Sequence, residues 1–165
     1  MADGSYMPKV YRKQGGDELV VASGGVITME AGGTIADANG PVVHNFRRRC
    51  TIAEVNAGVE LLPAITGKGY RMVSCSAISV GGAAGAVTTV DVVGTVSTTR
   101  KLVAFAQASL TQSTVLTSGG SGGTVLADGA SYTLNDAGTN ISVSKTGPSV
   151  TTATHIDIIF SYTIE

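Results

Sequence analysis

His155 and Asp157 come nearest to chemistry in this chain, because residues two apart on a strand share a face and could form half of a Ser-His-Asp relay. A relay also needs a nucleophile on a strained strand-to-helix turn, and no such turn is legible. The expectation is therefore an exposed imidazole and carboxylate on a polar strand face. The carboxylates Glu54, Glu60, Asp91, Asp128, Asp136 and Asp157 are scattered, without an acid/base pair or the alternating aspartates of a calcium loop. Glycine-rich 118–123 lacks the Gly-Lys-Ser/Thr ending of a phosphate loop, and Gly67-Lys68-Gly69 reads as a turn. Cys50 and Cys75 lie in different segments, with no CxxC pair and no zinc-like spacing to histidine. Two buried free thiols are expected, with a disulfide as the alternative. Tryptophan is absent and aromatics make up 5% of the chain, which disfavours an aromatic platform for sugars. No catalytic, metal or cofactor site is expected, so the chain reads as non-enzymatic.

The remaining reactive feature is positive charge. Arg47, Arg48 and Arg49 form the densest cluster, and Lys9, Arg12 and Lys13 stand near the N-terminus beside Tyr6 and Tyr11. Guanidinium forks suit phosphates and carboxylates alike, and tyrosines are frequent contact residues. With a formal net charge of −1 and no longer basic run, these eight residues read as partner-binding positions rather than a nucleic-acid site. There is no apolar run long enough to cross a bilayer, so a soluble protein kept in the cytosol until it joins a larger body is expected.

The elements that must position these residues begin with a repeat. Segments 18–25, 26–33 and 34–40 align so that Leu19, Ile27 and Ile35 share one position and Gly24, Gly32 and Gly40 another, a spacing of eight residues (32 − 24 and 40 − 32). Short strands joined by glycine corners follow, either as a meander or as a miniature solenoid. Units this small leave apolar surface uncovered, so the repeat reads as an assembly element. Residues 1–16 precede it as an arm that either docks on a partner or frays. Repeat and linker run over 17–50, with the linker proper near 41–52.

Residues 51–165 read as strand, turn, strand. Apolar or alternating runs fall at 55–65, 70–80, 87–96, 101–110, 113–117, 124–126, 131–134, 140–145 and 154–164. In the last, Ile156, Ile158, Phe160, Tyr162 and Ile164 share one face, while His155, Asp157, Ile159, Ser161 and Thr163 share the other. Helical propensity competes at 103–110, but the flanking valine and threonines favour strand. With 22 glycines and only 14% charged residues, the chain is expected to be all-β: an antiparallel β-sandwich or jelly-roll-like domain after the arm and repeat.

Four segments, 11–25 (YRKQGGDELVVASGG), 51–58 (TIAEVNAG), 61–63 (LLP) and 153–157 (ATHID), resemble a group of small virion structural proteins of tailed bacteriophages. The resemblance implies a capsid decoration (cement) or head-fibre protein, typically trimeric. Its partners would be the major capsid protein on the outer head surface and further copies of itself. A receptor-binding or adhesin module of a tail or fibre is the alternative, with the loops at 81–87 and 118–123 touching host glycan.

Overall fold

The computed structural model describes residues 10–12, 15, 19–28, 36–37, 40–96, 98–117 and 134–165. The chain divides into two units, Met1–Gly33 and Thr34–Glu165. In the first, β1 (Val10–Arg12) pairs antiparallel with β2 (Leu19–Val21), Tyr11 opposite Val20. The strand of the first repeat copy thus pairs backwards with the arm, part of which is itself a strand. The expected glycine corner is present: Gly25 N–H donates to the Ala22 carbonyl at 2.8 Å, with Gly24 at φ 75°. A positive φ there suits glycine, which has no Cβ to clash.

The second unit opens with a tight antiparallel pair, β3 (Ala36–Asp37) and β4 (Gly40–Pro41). Residues expected as linker form a full strand, β5 (His44–Thr51), because apolar and polar side chains alternate along it as a half-buried edge requires. The sandwich therefore begins before residue 51.

The run at 55–65, expected as strand, starts with a helix, α1 (Ile52–Ala57). Thr51 and Glu54 form a reciprocal capping box, in which the Thr51 hydroxyl accepts from Glu54 N–H at 3.2 Å and the Glu54 carboxylate accepts from Thr51 N–H at 2.7 Å. Gly58 closes the helix in the left-handed region at φ 84°. These local signals outweighed the apolar run. Thr51→Ala should cost about 1 kcal/mol, read as a lower urea midpoint with unchanged slope.

The remaining elements are β6 (Glu60–Leu62), β7 (Tyr70–Val80), β8 (Thr89–Val96), β9 (Thr98–Ala106), a 3₁₀ turn at Gln107–Ser109, β10 (Val115–Thr117), β11 (Ile141–Thr146) and β12 (His155–Ile164). The segment with competing helical propensity is strand up to Ala106. Expected strands at 124–126 and 131–133 lie outside the described residues, as do 29–35 and 38–39 of the repeat.

Two antiparallel four-stranded sheets pack as an all-β sandwich, ordered β10-β7-β12-β5 and β6-β11-β8-β9. Among the described strands from β5 onward only β8 and β9 follow each other within one sheet, and the other successive pairs lie in different layers. Between them lies one core, with Ile156, Ile158 and Phe160 of β12 meeting Val90 and Val92 of β8, Phe105 of β9 and Ile141 and Val143 of β11. The expected alternation of β12 holds as far as Ser161, where a bulge shifts its register on β7. Asp157 departs from the expected polar face, being buried although its neighbours on that face are not.

Candidate functional site: the arginine strand and the uncovered segment

The pleat of β5 splits three consecutive arginines between two faces. Arg47 and Arg49 stand on the outer face of their sheet, and Arg48 points the other way. Arg49 lies directly opposite Asp157 in the β5–β12 register. Its guanidinium forks onto that carboxylate, Nε to Oδ1 at 2.7 Å and NH2 to Oδ2 at 2.9 Å, while Arg47 reaches Oδ2 at 3.3 Å. The Asp157 side chain is 3% exposed, whereas Arg47 is 67% and Arg49 54% exposed. One buried carboxylate thus anchors two guanidinium groups that remain open to solvent, leaving a net positive charge on an edge strand. The Arg49 hydrogen bond, against burial and with help from Arg47, holds the Asp157 carboxyl below the usual range.

Arg48 is internal structure. It donates to Glu54 at 2.8 Å and to the Glu60 carbonyl at 2.6 Å, tying β5 to α1 and β6. Glu54 is held below its ordinary pKa chiefly by the Thr51 backbone N–H, then by the Thr51 hydroxyl and Arg48.

The His155/Asp157 pair dissolves as a relay. The ring Nδ1 of His155 lies 3.1 Å from the Thr154 hydroxyl, and the partners of Asp157 are arginines. Cys50 and Cys75 are buried thiols outside any disulfide, as expected. Burial pushes the Cys75 thiol up to about 12 and raises that of Cys50, so neither offers a reactive thiolate at neutral pH. Among the described residues no cluster could hold a metal ion.

Of the N-terminal positions, Tyr11 and Arg12 fall in β1, whereas Tyr6, Lys9 and Lys13 lie outside the described residues. The adjoining segment supplies a different feature. Leu19, Val21, Val26 and Ile27 are 58%, 44%, 74% and 46% exposed, four large apolar side chains within nine residues (27 − 19 + 1). Single exposed apolar residues need no explanation, but four so close in sequence make this segment a candidate contact surface.

The loop at 81–87, a receptor contact under the alternative reading, packs in part against Thr152, with Gly82, Ala84 and Val87 buried and Gly81 and Ala86 exposed. Cβ atoms built on Gly82 and Gly85 would fall 2.6 Å from the Thr152 carbonyl and 2.2 Å from the Thr152 hydroxyl, so only glycine allows this approach. The other candidate loop, 118–123, lies outside the described residues.

Sequence reasoning missed two networks. One is the anchoring of Arg47 and Arg49 by Asp157, whose residues are 108 or more apart in the chain. The other is on the outer face of the opposite sheet, where Asp91 Oδ2 receives the Thr146 hydroxyl at 2.7 Å and lies 3.2 Å from Lys101 Nζ.

The fold and these surfaces define an all-β sandwich with an uncovered apolar segment and an anchored arginine edge. Comparison with known protein families, with curated proteins and with solved structures finds no match for this chain.

Proposed function

We propose that this chain is a non-enzymatic virion structural protein that decorates the outer surface of an assembled phage head and stabilises it. It would bind the major capsid protein and further copies of itself, as a trimer. The observation that carries the reading is the exposed run Leu19, Val21, Val26 and Ile27, in a unit of 33 residues too small to bury its own apolar face. Arg47 and Arg49 would meet carboxylates of the shell, since both keep solvent-facing donors while Asp157 holds their orientation. A clamp that binds only the expanded shell stabilises that state by linkage.

Quantitative mass spectrometry of purified particles tests the reading. Copies comparable to those of the shell protein are expected, and a handful per particle would overturn it in favour of a tail or vertex location. The role of the uncovered run has its own check. Leu19→Ser, Val21→Thr, Val26→Thr and Ile27→Thr together should reduce particle binding at least tenfold, roughly 1.4 kcal/mol, while the sandwich melts unchanged. Undiminished binding by the quadruple variant would remove this run from the docking surface.

A further inference from the structure

Four strands stand at the edges of the two sandwich sheets, and β5 differs from the other three. Strands β6 and β10 have three residues each, and the β8–β9 ladder shifts register between Val92 and Val93. Strand β5 is eight residues long, holds neither proline nor glycine, and pairs with β12 from His44 to Thr51 without a shift. In an antiparallel pair every second residue turns its N–H and C=O away from the neighbour. No other strand among the described residues takes those groups, so β5 is a regular template for a further strand.

Proteins guard a long edge with bulges, proline or charge, and here the guard is charge of one sign. Guarding needs no more than solvated side chains. Arg47 and Arg49 are instead fixed by the buried Asp157 carboxylate, which balances one of the two charges and leaves one in excess. Fixing long side chains before a partner arrives lowers the entropic cost of binding. The two stand about 7 Å apart on one face, which matches residues i and i+2 of any strand laid beside them. On the other face Arg48 is already bonded to Glu54 and the Glu60 carbonyl, and Phe46 is half-buried, stacked on Phe160 at 4.8 Å.

We propose that β5 takes an antiparallel strand of an acidic partner, with carboxylates opposite Arg49 and Arg47, an uncharged polar residue opposite Arg48 and an apolar residue opposite Phe46. The partner then reads acid, polar, acid, apolar. Backbone hydrogen bonds along the edge supply affinity, and the alternate side chains supply the choice. A second copy of this chain does not offer that order, because none of its 12 acidic residues lies two positions from another. A small anion would use the guanidinium groups but leave the backbone groups of the edge bare. That the strand belongs to a shell protein rests on the function proposed above. Strand binding is measured on the protein alone and copy number on the particle, so either can fail without the other.

The test is amide-resolved NMR titration of the full-length protein with the end-blocked heptapeptide TVDTDVT. It should shift the amides of His44–Thr51 saturably, with Kd about 0.1 to 1 mM, and slow hydrogen exchange at alternate residues of β5. The uncharged peptide TVNTNVT should bind roughly tenfold more weakly. Arg47→Gln leaves the Arg49 fork on Asp157 and should weaken TVDTDVT binding by roughly the same factor. The triple variant Arg47→Met, Arg49→Met, Asp157→Leu removes all three charges together and should lose the response while still melting cooperatively. Any of four results would overturn the proposal: no saturable shift, an equal response to TVNTNVT, an equal response to inorganic phosphate or an oligothymidylate, or binding without slowed exchange in β5.

Discussion

Arg47 and Arg49 replaced together by methionine should cost about 2 to 3 kcal/mol at pH 7 and reverse the protein's response to acid. In the native chain the Asp157 carboxyl is held below its unfolded value, first by Arg49. Its contribution is present above the unfolded carboxylate range near pH 4 and is lost as pH falls through the lowered folded value. Without both guanidinium groups the same side chain, 3% exposed, is a buried carboxylate with no cation. Stranding a buried charge usually costs 3–5 kcal/mol, and the edge position of β5, where water reaches, sets the lower figure of about 2 to 3 kcal/mol.

Burial alone raises a carboxyl pKa, so the variant should become more stable as pH falls from 7 towards about 5, where the native chain does not. Urea unfolding at the two pH values reads the sign directly. Adding Asp157→Leu to the pair should restore most of the loss, because apolar residues of similar volume replace buried ion pairs well. A double variant with native acid dependence would show that water, not the arginines, solvates Asp157.

Asn135→Ala is the second large effect, expected at about 3 kcal/mol. Asn135 is fully buried and acts as a three-way tie. Its Oδ1 accepts from Thr95 N–H on β8, while its Nδ2 donates to the carbonyls of Thr139 at 3.4 Å and Asn140 at 3.1 Å. Its own N–H donates to the Tyr70 carbonyl at 2.8 Å, so one residue connects both sheets and the 135–140 loop. Gly94 is shaped to this role, since a Cβ there would fall 2.7 Å from Asn135 Oδ1 and 3.0 Å from Leu102 Cδ1. Truncation strands the Thr95 N–H and frees the loop that carries Asn140. Hydrogen exchange should therefore accelerate at Thr95 and through 136–140 before the rest of the sandwich. Uniform exchange across the fold would mean that Asn135 stabilises the sandwich as a whole and not this loop.

The β class was legible because alternation is a local property, and β12 shows it plainly up to the bulge at Ser161. The start of α1 was legible too, in Thr51, Glu54 and Gly58, but the apolar run from Val55 hid it. A capping box and a left-handed glycine outweigh apolar character over six residues, since they satisfy the helix ends that a short helix must satisfy first. The linker expectation failed for a related reason. Arg47, Arg48 and Arg49 look like a solvated run when read in order, yet on a strand two face one way and one the other.

The sequence by itself determined the alternating strands, the two buried thiols and the glycine corner at Gly24. Each rests on residue type or on spacing within a few positions. Tertiary structure alone decided that Asp157 is buried under Arg47 and Arg49 and that β5 stands at the edge of its sheet. Those facts depend on which strands become neighbours. In a sandwich whose connections cross between layers, pairings such as Arg49 with Asp157 join residues 108 apart, and no local pattern encodes them.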